Sequence, residues 1–157
     1  MPTSIANPRD LAVEMLGQIL YVERRLHDAV LPSLADAITD EELLGAIRAH
    51  QLSTREHVER AERAFRVLGV APTSNRTQAF DGAVSQHELL TPSFRNERLA
   101  NLFHAQAALH TEHWEMAAYR TLLPLVPADA SELLEPSFGD EGDAARRLVS
   151  IVDRLAR

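Results

Sequence analysis

Between Leu11 and Leu34 the apolar residues Leu11, Met15, Ile19, Val22, Leu26, Val30 and Leu34 follow one another at steps of three and four. That spacing lines one face of an α-helix, so the segment reads as a helix that buries this face against a neighbour. Glu23 falls inside the stripe, four residues after Ile19 and three before Leu26. A carboxylate aimed into an apolar interior is strongly unfavourable unless it meets a metal, an Arg or a proton. The alternative is an acid at the bundle edge that reaches solvent or pairs with an Arg from another helix.

The same spacing recurs along the chain. Asn7 is placed to cap the first helix, with Pro8 at its first position and Asp10 against its dipole. This helix is expected to reach about Ile38, with Pro32 as an interruption or kink. Thr39 with Glu42 reads as a capping box for a second helix carrying Leu43, Ile47, Ala61, Phe65 and Leu68, and Gly69 is placed to end it. Residues 70–91 form a long connection with a short helix near Ala79–Leu90. A third helix is expected from Thr91-Pro92 to about Leu123, and a fourth from a cap at Asp129 with Glu132. Pro136, Gly139 and Gly142 predict that the fourth helix breaks near Pro136–Gly142 and restarts at about Asp140. Two helices, a long crossover between helices 2 and 3, and two more helices describe an all-α, ferritin-like four-helix bundle, with residues 1–157 as a single domain.

Composition narrows the function classes. Apolar residues make up 45% of the 157, enough to bury a core. Net charge is −7 and the basic residues are scattered, which disfavours a nucleic-acid partner. With no cysteine there are no disulfides and no thiolate metal sites. No apolar run reaches the roughly 18 residues of a membrane span. The stretch MPTSIANPRD lacks the basic-then-apolar order of a signal peptide, so the expected location is cytoplasmic. Hydrolase chemistry has no support, since G-x-S-x-G, a cysteine nucleophile and a glycine-rich phosphate loop are missing.

Polar residues interrupt the inner faces of the other helices too. Helix two places His50, Ser53, Thr54 and His57 in its stripe, with Glu56 beside the second histidine. Glu112 and Glu115 lie one turn apart on helix three and can share a side with Tyr119, whereas His110 and His113 read as a surface pair and Trp114 as a packing anchor. A single inward histidine is most often a satisfied core residue. Two on one stripe favour a metal, because iron and manganese take carboxylate together with imidazole. Di-metal bundles draw a Glu from each of two helices and a Glu-plus-His set from each of the other two.

The stretches LYVERRL (20–26), AHQLSTREHVER (49–60) and TEHWEMAAYRTL (111–122), with a weaker segment EGDAARRL, resemble the YciE/YciF-like bacterial stress proteins of the ferritin-like superfamily. The resemblance runs from about Leu20 to Leu155, and the helix-three string is its most specific part. It implies a bundle that is often a homodimer, holding a carboxylate di-metal site for iron or manganese. By position it implies Glu23, Glu112, Glu115 and Glu141 as ligands, with His57 near the second-helix ligand.

The chain departs from that pattern where Ser53 replaces a Glu, Gln86 an acid of the crossover helix, and Ala145 an Asp after the fourth-helix Glu. If Asp140 caps a restarted helix, Glu141 becomes its first residue and turns toward solvent. Two readings lead, with a small-ligand binder using the bundle interior as a third, weaker one. In one, a metal-binding protein with oxidase or peroxide-handling chemistry uses His50, His57 or Glu56 to make good the loss. In the other, a non-enzymatic scaffold has lost its metal and holds the inward acids with Arg, Tyr119 or water.

Overall fold

The computed structural model describes residues 4–157, so the first three residues of MPTSIANPRD lie outside the described part. Helix α1 (Pro8–Arg25) begins where Asn7 accepts a hydrogen bond from the Asp10 amide at 3.0 Å. A π-helical turn, Leu26–Val30, follows, and α2 (Leu31–Ala37) continues the segment. The interruption expected at Pro32 is therefore a widened turn just before it. The Leu31 amide reaches back five residues to the Leu26 carbonyl, which leaves Pro32 in the first turn of α2, where its missing N–H matters least.

Helix α3 (Glu41–Val67) is capped by Asp40, which accepts from the Leu43 amide at 2.9 Å, and not by the Thr39–Glu42 box. It ends at Gly69 as expected. With φ of 70°, Gly69 allows its own amide to reach Arg66 and the Val70 amide to reach Phe65, the paired closure of a Schellman motif. The connection then crosses α1 at Gly17, where the Asn75 amide donates to the Gly17 carbonyl and a Cβ would meet the Asn75 side chain. Helix α4 (Gln78–Leu90) is the short crossover helix.

Thr91–Ser93 forms only a 3-10 turn, and α5 (Glu97–Leu122) starts later than expected, capped by Asn96 through the Leu99 amide. Helix α6 (Ala128–Leu155) has no side-chain cap, so Asp129 lies in its first turn instead of capping it.

The break expected near Pro136–Gly142 is absent: α6 is one helix with Pro136 inside it. Both Pro136 and Glu132, whose carbonyl loses its partner, are on the exposed face, where that carbonyl can bond to water. The opposite face packs on both α3 and α5, which holds the helix continuous.

Around the bundle, α1 touches α3, α3 touches α6, α6 touches α5, and α5 touches α1. Apolar residues fill the two ends of the interior. One end holds Leu26, Leu43, Ile47, Ala105, Leu148 and Ile151. The other holds Leu16, Leu20, Phe65, Tyr119, Leu122 and Leu134. All four long helices break their apolar stripe at the same height between these ends, and the polar residues there form one buried layer. No strand occurs among the described residues.

Candidate metal centre

Four carboxylates and two imidazoles converge in that layer. Helix α1 supplies Glu23, α3 supplies His50 and His57, α5 supplies Glu112 and Glu115, and α6 supplies Glu141; all six are buried. They fall into two groups whose ligand atoms lie within 4.8 Å of one another: His50, Glu112, Glu115 and Glu141 in one, Glu23, His57 and Glu141 in the other. Glu141 belongs to both. The idea that it opens a helix and turns to solvent is thus overturned, because the unbroken α6 carries it inward two turns beyond Leu134.

The contacts within the layer are close but poorly matched. His57 Nδ1 lies 2.8 Å from Glu141 Oε1 and 3.2 Å from Glu23 Oε1, yet makes a hydrogen bond with neither. His50 Nε2 is 3.3 Å from Glu112 Oε1, and its Nδ1 is 3.9 Å from Glu141 Oε2. Both oxygens of Glu115 and of Glu141, one each of Glu23 and Glu112, and both nitrogens of His50 have no hydrogen-bond partner. Buried polar atoms are nearly always paired, so orphans gathered in one volume indicate a missing partner at their focus. Apart from the Tyr119 hydroxyl on Glu23, the donors at hand are the histidines, and four acids cannot be neutralised by two imidazoles. A cation fits this donor set, since oxygen and imidazole nitrogen suit iron, manganese or zinc.

Burial shapes the protonation of the metal-free layer. It pushes Glu23 up to about 7 against the opposing influence of His57, and drives Glu112 and Glu115 well above the usual carboxylate range, reinforced by neighbouring carboxylates. Burial alone would lower His57, but Glu141 and Glu23 outweigh it and raise the imidazole to about 11. Glu141 is the exception: burial disfavours its charge, yet its contacts to His57 and Glu112 bring it below the ordinary value. His50 is lowered by burial.

Two outer residues orient side chains of the layer. Tyr119 donates to Glu23 Oε1 at 3.0 Å. Asp140 Oδ2 stands 3.1 Å from His57 Nε2 and also takes a bond from Arg60 at 3.2 Å. A proton on Nε2 satisfies Asp140 and turns Nδ1 toward the layer, the arrangement by which a carboxylate fixes a ligating histidine. No sequence signal pointed to this, because Asp140 read as a helix cap.

All five residues expected from sequence, Glu23, His57, Glu112, Glu115 and Glu141, come together, and His50 joins them. Its signal was the seven-residue spacing to His57, which stacks two imidazoles on one helical face; their rings stand 6.3 Å apart. Glu56 does not join: it is exposed and pairs with Arg60. Ser53 and Thr54 donate to the His50 carbonyl and offer nothing to the layer. A cavity of about 210 Å³ between α3 and α6 opens onto His50 and Glu112 past Asp140 and Asp143.

The sequence matches, over residues 7–157, the family described as Domain of unknown function (DUF892). The chain belongs to this family. Among solved structures it is similar to YcfI of Rhodopseudomonas palustris, with a TM-score of 0.89 and 24% identity over 94% of this chain and 96% of that one. It is also similar to the E. coli stress protein YciF, with a TM-score of 0.87 and 23% identity over 97% and 98% of the two chains. These likenesses agree with the YciE/YciF-like resemblance and with the all-helical fold. No curated protein matches the chain. Among the described residues no helix is long and apolar enough to cross a membrane.

Proposed function

We propose that this DUF892 protein is a ferritin-like metal-binding protein whose buried layer takes two metal ions, iron or manganese, with Glu141 shared between them. The observation that carries the reading is the set of orphaned carboxylate and imidazole atoms converging from all four long helices. The departures at Ser53 and Ala145 do not reduce the donor count. Four Glu and two His is the total that di-metal bundles assemble from two single Glu and two Glu-x-x-His pairs. Here the histidines are both on α3 and an acid pair is on α5.

Glu23 and His57 would hold one ion, His50, Glu112 and Glu115 the other. Iron or manganese held there would supply redox chemistry toward O₂ or peroxide. The chain's own part is to exclude water with the two apolar ends, to orient Glu23 through Tyr119, and to keep Nδ1 of His57 turned inward through Asp140. The smaller cavity, lined by Asp140, Asp143 and Arg147, gives a way from the surface to His50 and Glu112. The stress association of YciF, a cytoplasmic location and a homodimeric state extend the same reading.

The scaffold alternative needs the acids held by protein groups. Tyr119 does this for one oxygen of Glu23, but Arg60 reaches Asp140 instead of the layer, and Glu115 has nothing. The test is metal content by plasma mass spectrometry on tag-free protein purified without chelator from cells supplied with iron, manganese and zinc. About two equivalents per chain support the proposal. Less than about a tenth of an equivalent, with no uptake on adding metal back, overturns it in favour of the scaffold.

A further inference from the structure

A second, larger cavity of about 570 Å³ lies between the π turn and α2 on one side and α4 and α5 on the other. Its size falls within the roughly 300–1,000 Å³ of small-molecule sites. Leu26, Val30, Leu34, Val84, Phe103 and Ala108 give it apolar walls. Two of the three charged residues that line it, the third being Glu88, make it more than a packing gap. One is Glu112, which also belongs to the metal layer, so the cavity runs up to that layer. The other is Arg25.

Arg25 stands apart from the other arginines at this end of the bundle. Its neighbour Arg24 pairs with Glu62 at 2.7 Å. Arg25 has its Nε buried without a hydrogen-bond partner, and no described carboxylate lies within 4.0 Å of its guanidinium. Asp81, which feels the Arg25 charge, is already bound by Tyr21 at 2.7 Å and by Arg76 at 2.6 Å. The acid on the cavity's rim, Glu88, is exposed on α4. An unpaired guanidinium beside an apolar cavity matches a ligand with an apolar body and one anionic fork, and a carboxylate fills that fork with two parallel hydrogen bonds.

We propose that this cavity binds an apolar monocarboxylic acid, with its carboxylate on Arg25 and its body between α2, α4 and α5. Binding itself needs no metal. The metal reading enters only in what the site is for: a molecule held against Glu112 lies next to the layer where redox chemistry would occur, so the acid becomes the candidate substrate or effector of that centre.

The experiment is calorimetric titration of the metal-free full-length protein with decanoate and with decanol, both below the concentration at which they aggregate. One equivalent of decanoate is expected to bind. Arg25→Gln should weaken decanoate roughly tenfold or more and leave decanol unchanged, since only the charge-assisted bonds are lost. Ala107→Phe, which fills the cavity from α5, should weaken both ligands while metal content stays at the wild-type level. Val84→Phe from α4 serves as the second filling variant if the first melts early. No decanoate binding, equal binding to the filled variants, or indifference to Arg25→Gln overturns the proposal. So does a cavity closed by a second copy, seen as a concentration-dependent dimer that excludes decanoate. Because the titration contains no metal, failure of the metal reading leaves its outcome untouched, and the reverse holds for the metal content.

Discussion

Two pairs of histidines are built into this protein, and their surroundings differ. His87 of α4 and His104 of α5 meet ring to ring, Nε2 to Nδ1, at 2.8 Å. His87 also stacks on Phe103 with centroids 5.1 Å apart. Burial lowers both, His104 to about 4, so the pair is neutral and one imidazole donates to the other. His50 and His57 face carboxylates instead, and the nitrogens they turn into the layer have no hydrogen-bond partner. The first pair answers its own polar demand and belongs to the structure. The second cannot, and neither can the acids around it. Burial of a polar residue is therefore no sign of a site; burial without satisfaction is.

The contrast can be broken most severely at Glu141. Glu141→Gln keeps the shape but removes the charge common to both groups, and metal content should fall from about two equivalents to below one, read by plasma mass spectrometry. Next in size is the effect of metal on stability. At a hundredfold excess over the dissociation constant, binding adds about 2.7 kcal/mol. For a chain of this length that raises Tm by roughly 5–10 °C in a calorimetric scan. The Glu141→Gln protein should show little of that rise.

pH sharpens the contrast from another side. Glu23 is raised from 4.5 to about 7 in the folded state, so the native protein holds a proton the unfolded chain has released, and stability falls as pH rises through that window. Raised Glu112 and Glu115 add the same sign. His57, raised from 6.5 to about 11, contributes stability that is complete below 6.5 and is lost as pH climbs toward 11. Metal-free protein should thus melt lower at pH 8 than at pH 5, and added metal should reverse the order, since it binds the deprotonated ligands. The smallest expected effect is at the self-satisfied pair. His104→Leu should cost about 1 kcal/mol, the worth of one hydrogen bond, and leave metal content unchanged.

Much of this layer was legible in the sequence because helical spacing is a geometric statement. Glu23 inside an apolar stripe, and Glu112 one turn before Glu115, dictate where those side chains point once the helices exist. His50 was visible for the same reason, seven residues before His57 on one face, but only the bundle brings it to Glu112. The fourth helix was misread because Pro136 and two glycines argue locally for a break. What they cannot reveal is that Pro136 lies on the wet face, while the dry face is held by α3 and α5. That one error made a cap of Asp140, which faces His57, and set a solvent-facing alternative beside the inward reading of Glu141. The caps at Asp40 and Asn96 were missed by one to a few residues, since neighbouring polar residues compete for the same role.

The most direct test of the account is an anomalous-difference map from crystals of this protein soaked in Mn²⁺ without chelator. Two peaks are expected in the buried layer, one beside Glu23 and His57, one beside His50, Glu112 and Glu115, with Glu141 reaching both. An empty layer at full Mn²⁺, or metal only at surface carboxylates, would contradict it.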